Sequence, residues 1–138
     1  MANPNIVNVT TINGTTAYVL PASTAVSVAW TYADPSTSGS VALTGLTPAS
    51  GTVNKINNIV VSNTTSSAAN CSIAISNNPT YASGTAYYIA YQISVPPNAS
   101  LIVVDKTTAF YVTQFQSVGV ISGTRSALTY VASFEAIT

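Results

Sequence analysis

Hydrophobic and polar residues alternate with a period of two over most of the chain. In CSIAIS, Cys71, Ile73 and Ile75 are apolar, and Ser72, Ala74 and Ser76 are small or polar. In YYIAYQISV the series Tyr87, Ile89, Tyr91, Ile93, Val95 alternates with Tyr88, Ala90, Gln92, Ser94. Leu128, Tyr130 and Phe134 share one parity near the end, with Thr129, Ser133 and Glu135 on the other. Such alternation sets one strand face on a core and the other toward solvent. No 3.6-residue period stands out, and the abundant Thr, Val, Ile and Tyr favour strands. In KINNIVVSN, Ile59 and Val61 share a parity with Asn63 that Ile56 breaks. One extra residue near Asn57 and Asn58 restores the phase, which is what a β-bulge supplies.

Turn signals divide these runs. Asn13-Gly14 between IVNVTTI and TTAYVL reads as a two-residue hairpin. Pro21, Asp34-Pro35 with STSGS, residues 48–51, NNP at 77–79, PPNAS at 96–100 and SGTRS at 122–126 mark the others. The pattern predicts an all-β fold: a single antiparallel β-sandwich, jelly-roll-like, with about eight or nine strands. Residues 1–12 read as an N-terminal arm and first strand, with a strand over 5–12. Residues 13–138 read as one sandwich domain, in which 34–51 is a long loop.

Composition narrows the function. Of 138 residues, 47% are hydrophobic and only 4% charged, against roughly 25% charged in an average soluble domain. Ser, Thr and Asn keep the surface wet instead. The formal net charge is zero, so little self-repulsion keeps copies apart, which suits an assembly. Three cations spread over the chain make no phosphate-binding patch, so no nucleic acid partner is expected. No apolar run is long enough for a membrane helix, and residues 1–12 lack the basic and apolar regions of a signal peptide. The expectation is synthesis in a host cytoplasm, no membrane partner, and no use of the Asn-x-Ser/Thr patterns for glycosylation.

Ionisable chemistry is scarce. With no His and one Cys, imidazole and thiolate metal sites are excluded, so no metal and no cofactor are expected. Asp34, Asp105 and Glu135 lie in different elements without metal-ligand spacing. Hydroxyl nucleophiles lack a base, and no enzyme activity or catalytic residue is predicted. Cys71, on the inward parity of its strand, reads as a buried small hydrophobe. The informative excess is tyrosine, eight against three Phe and one Trp, because a tyrosine at an interface joins a large ring to a hydrogen-bonding tip. Tyr32, Tyr81 and Tyr88, on or beside loops or off the apolar parity, are interface candidates. Tyr18, Tyr87, Tyr91 and Tyr130 read as core or rim. Phe110, Tyr111 and Phe115 join the candidates because AFYVTQFQSVGVIS holds more large apolar residues than one strand face buries. Asn3, Pro4 and Asn5 join them as an arm reaching a neighbouring subunit or shell protein.

MANPNIVNVTTINGTTAYVL, VNKINNIVVSN, AYYIAYQISVPPNASLIVVDK and ALTYVASFEAIT together resemble a group of small virion structural proteins of tailed bacteriophages, especially phages of marine cyanobacteria. The resemblance spans most of the chain except residues 30–52. The chain departs from that group in charge, with VTQFQSVG and SGTRSA where relatives carry acids and lysines. The resemblance implies a virion protein without catalytic residues, and no electrostatic docking is expected. The leading expectation is a capsid decoration or cement protein whose partners are the major capsid protein and itself, as a homotrimer. The alternative is a tail-fibre or receptor-binding module for cell-surface glycan, or a tail or neck component.

Overall fold

The structure, a computed structural model, describes residues 8–34 and 36–138. Its strands are β1 (Ile12–Val19), β2 (Ala29–Ala33), β3 (Ser40–Thr44), β4 (Val53–Asn63), β5 (Ala69–Ser76), β6 (Ala86–Val95), β7 (Ser100–Val104), β8 (Phe110–Val112), β9 (Ser117–Ser122) and β10 (Leu128–Ile137). A 3-10 turn, Tyr81–Ser83, lies between β5 and β6.

The strands form two antiparallel sheets. The larger runs β3-β2-β1-β10-β4-β7, with β8 also pairing β4, and the smaller runs β6-β5-β9. The all-β sandwich of the sequence reading is therefore present, with ten strands divided seven and three, a different partition from the eight strands of a jelly roll.

β10 is the strand around which the larger sheet is organised. It pairs along its length with β1 on one side and β4 on the other. Its inward residues Leu128, Tyr130, Ala132 and Phe134 are buried, as their parity predicts. Across from them, Ser133 pairs Asn58 but Phe134 pairs Ile56, so Asn57 is the extra residue of a bulge. The bulge rephases β4, so that Ile56, Ile59 and Val61 all reach the core. Asn58 Oδ1 accepts the Ser133 amide at 3.3 Å, which ties the bulge to β10.

Three local expectations are corrected. Asn13 and Gly14 do not form a hairpin turn. They lie inside β1, opposite Ala136 and Glu135, and neither has the positive φ that a type I′ turn requires. An eight-residue ladder with β10 outweighs two residues of turn chemistry. Among the described residues of the strand expected over 5–12, only Ile12 lies in a strand. Thr10 and Thr11 donate backbone bonds to the Thr138 carbonyl at 2.7 and 3.2 Å, while residues 1–7, and with them Asn3, Pro4 and Asn5, lie outside the described residues. The segment 34–51 carries a strand: β3 pairs with β2 from Ala29↔Thr44 to Ala33↔Ser40. Small side chains make a weak periodic signal there, but Trp30 anchors its partner strand from a fully buried position.

Beyond β3 the chain reverses at Gly45 and Leu46, with φ of +65° and +54°. A left-handed leucine is strained. Here the side chain is fully buried, and its carbonyl accepts Asn54 Nδ2 at 2.9 Å.

The two sheets meet along β9. Trp30 Nε1 donates to the Val118 carbonyl at 3.1 Å, and Tyr130 Oη donates to the Ile121 carbonyl at 2.6 Å. Both rings are fully buried. Cys71 is buried as well, on the inner face as expected.

Burial raises the pKa of the Cys71 thiol above its ordinary 9.0 and of the Tyr130 phenol above its ordinary 10.0. The folded state therefore holds these protons more tightly than the unfolded chain. Their contribution to stability is full below the unfolded values and is lost as pH rises, at about 1.4 kcal/mol per pH unit for each group at most. We expect stability to fall from about pH 9 and more steeply above pH 10. Tyr130→Phe strands the Ile121 carbonyl and should cost about 1–3 kcal/mol at neutral pH, while making the decline above pH 10 shallower. Denaturant unfolding across pH checks this; equal slopes in both proteins would remove Tyr130 as a cause.

Candidate interaction surface

Two of the three acidic residues serve local turns. Asp34 Oδ1 accepts the Ser36 amide and hydroxyl at 2.8 and 2.7 Å. Asp105 Oδ1 accepts the Thr107 amide and hydroxyl at 2.9 and 2.6 Å. These bonds hold both carboxyls below the usual carboxylate value. Glu135 lies in β10 opposite Lys55. Among the described residues, no three His, Cys, Asp or Glu side chains gather where a metal could bind, and no helix is long and apolar enough to cross a membrane.

The smaller sheet has two edges that are finished differently. On the β9 edge, Ser27 and Val120 exchange two backbone bonds at 2.8 and 2.9 Å, and Val118 donates to the Gly45 carbonyl at 2.7 Å. With Trp30 on the Val118 carbonyl, that edge is closed. On the β6 edge no described strand pairs with the sheet.

β6 is irregular. Its register with β5 passes from Ala74↔Tyr88 to Ile73↔Ala90 and then to Cys71↔Ile93. Ile89 is one extra residue, and a second lies at Tyr91-Gln92, where Gln92 has φ +49° and donates its amide to Ser72 Oγ at 2.9 Å. Each extra residue turns the following side chains to the other face. Ala90 and Val95 are buried, while Tyr87 and Tyr88, ahead of both extra residues, and Ile89, Tyr91 and Ile93 are all exposed. Tyr87 is 58% and Tyr91 60% exposed, so their assignment to core or rim is corrected.

On the outer face the small residues Ala74, Ser76, Ser117 and Gly119 leave room for residues 77–85 to fold back. Ser117 Oγ donates to the Asn78 carbonyl at 2.7 Å, and Ser76 Oγ to the Tyr81 carbonyl at 3.1 Å. A Cβ on Gly119 would stand 2.7 Å from both the Tyr81 ring and a Val26 methyl, so these two side chains lie directly on the glycine. Tyr88 and Tyr91 meet edge to face at 4.7 Å. Burial and the neighbouring Tyr88 raise the pKa of Tyr81. Tyr81, Tyr88 and Tyr91 thus form an aromatic cluster on the outer side of the smaller sheet.

Of the other candidates, Tyr32 and Phe110 are partly buried against the core. Tyr111 and Phe115 are exposed, on or just after β8 and away from β6 in the fold. Of the residues around β6, sequence reasoning named Tyr81 and Tyr88 as candidates and left out the exposed Tyr87, Ile89, Tyr91 and Ile93. The usable signal was the adjacent pair Tyr87-Tyr88, since two large rings at successive positions cannot both enter one side of a sheet.

An exposed apolar strip of this kind promotes association. Replacing Tyr87 and Tyr91 together by Ser should change unfolding stability by no more than about 0.5 kcal/mol per site, yet reduce self-association at high concentration. Sedimentation of both proteins checks this; unchanged association would place the contact elsewhere.

A scan against protein-family models matches no family, and a search of curated proteins finds no relative of the chain.

Proposed function

We propose that the chain is a non-enzymatic structural protein of a phage particle, a capsid decoration protein that binds the outer surface of the shell through β6. The observation that carries this reading is the exposed strip Tyr87, Tyr88, Ile89, Tyr91 and Ile93 on a strand whose outer edge has no described partner. Such a strip offers apolar area, hydroxyl groups and an unpaired strand edge, which are what a protein surface recognises. The resemblance of the sequence to small virion proteins supplies the particle.

The low charge shapes the mode of binding. With 4% charged residues, attachment rests on apolar contact and neutral hydrogen bonds. Each contact can be modest, because neighbouring copies that also touch one another are held together by effective concentration. A closed ring of three suits the local symmetry axes of a shell.

The test is binding of purified chain to shells of the parent phage that lack it, followed by co-sedimentation. We expect binding that changes little between ~0.05 and ~0.5 M salt, since charge screening has little to act on, and a large loss of occupancy in the Tyr87→Ser, Tyr91→Ser double variant. Equal occupancy by the variant would remove β6 as the attachment face. Binding to host-cell polysaccharide with none to shells would favour the receptor-binding reading.

A further inference from the structure

Asn13-Gly14 is the one Asn-Gly step in the chain, and it lies where the larger sheet is split. β1 pairs with β10 from Ile12 to Val19 but with β2 only at Tyr18↔Thr31. Beyond that pair β1 and β2 diverge around a groove of about 930 Å³ whose lining includes Asn13, Gly14 and Tyr32.

The direction of the Gly14 amide follows from the ladder. Thr11 and Thr138 exchange two backbone bonds, and the register continues from them into β1 and β10 without a shift. In an antiparallel pair, bonded and non-bonded positions alternate. Asn13 therefore bonds to Ala136, and Gly14 turns its N–H away from β10, into the groove. Without the split, β2 would take that N–H. The Asn13 side chain is untethered as well: among the described residues no hydrogen bond holds it. By contrast, the side chains of Asn54, Asn58, Asn63, Asn77 and Asn78 are each held by a bond. Asn13 and Gly14 are both exposed, and nothing lies within 4 Å of where a Gly14 Cβ would be.

We propose that Asn13 is a site of spontaneous deamidation, driven by the freed backbone nitrogen of Gly14. That nitrogen attacks Asn13 Cγ. The N–Cγ bond forms and the Cγ–Nδ2 bond breaks. The Gly14 amide proton passes to solvent hydroxide, and Nδ2 takes a proton from water and departs as ammonia. Water then opens the cyclic imide at either carbonyl, which leaves aspartate or isoaspartate at position 13. Glycine matters because no Cβ crowds the attacking nitrogen. An extended backbone holds Cγ away from that nitrogen, so Asn13 must first leave the strand. Its position keeps this opening local. Asn13↔Ala136 is the second pair of the ladder, next to the Ile12↔Ile137 end, and such ends open at lower free energy than the middle. On the other side of β1 there is no second row of bonds to break at this position. The product puts a negative charge on a chain whose formal net charge is zero, beside Glu135, which pairs with Gly14. The isoaspartyl form also lengthens the β1 backbone by a methylene and so breaks its register with β10. The proposal does not depend on where the protein is used.

Incubation of the full folded chain in mildly alkaline buffer tests it, with peptide mapping by mass spectrometry that separates asparagine, aspartate and isoaspartate. We expect both products to accumulate at position 13 at least ~10-fold faster than at any other described asparagine, because the others are tethered, sterically covered or held in less readily opened structure. The rate should rise with hydroxide concentration. Gly14→Ala adds a Cβ that meets nothing, at a φ that is not left-handed. It should leave the fold intact and slow the reaction at least ~10-fold by crowding the nitrogen. A rate at Asn13 no greater than at the other asparagines overturns the proposal. So does aspartate without isoaspartate, which is direct hydrolysis, or a rate that Gly14→Ala leaves unchanged.

Discussion

The structure depends on how the edge of β9 is closed. A chain with six charged residues has few ionic interactions with which to join two sheets, and a buried peptide group without a partner is costly. Ser27, Gly45 and the indole of Trp30 satisfy the outward groups of Val118 and Val120, and Tyr130 reaches across to Ile121. These neutral bonds join the small sheet to the large one and let Val118 and Val120 sit in the core without exposing their backbone. The strained turn at Gly45-Leu46 serves the same end, because it delivers the Gly45 carbonyl to Val118.

Closing one edge of the smaller sheet leaves the other without a described partner. Three strands facing seven give the small sheet one sealed side and one open side. β6, on the open side, takes up two extra residues and turns large apolar side chains outward. A strand with no described partner on its far edge can absorb such irregularities, whereas β5, held on both sides, keeps an even register with β9. The exposed apolar surface of β6 is therefore a consequence of the architecture: rigidity on the β9 side and freedom on the β6 side. The proposed function rests on that asymmetry together with the scarcity of ionisable groups.

Much of this was legible in the sequence, and the exceptions have physical causes. Period-two alternation identified the all-β fold, the inward face of β10 and the burial of Cys71. The broken parity between Ile56 and Ile59 located the bulge at Asn57 to within a residue. Asn13-Gly14 misled because turn chemistry is local while the β1–β10 ladder joins residues more than a hundred positions apart. β3 was hidden by small residues that carry no pattern of their own and gain their place through Trp30 and Leu43 on either side of one pair. The surface on β6 was only half visible. Alternation is read by assuming an unbroken strand, and two extra residues at Ile89 and Tyr91-Gln92 violate that assumption without any Gly or Pro to announce them. Tyr91 consequently reads as core or rim although it faces solvent; Tyr87, ahead of both extra residues, reads so as well and is exposed too.

The measurement that bears most directly on this account is a cryo-electron-microscopy map of the phage particle at a resolution that traces the chain. The account predicts density for it on the outer surface of the head, at repeated positions, with β6 turned toward the shell protein and Tyr87, Tyr88 and Tyr91 covered. Density in the tail alone, or on the head with β6 facing solvent and another surface on the shell, would contradict it.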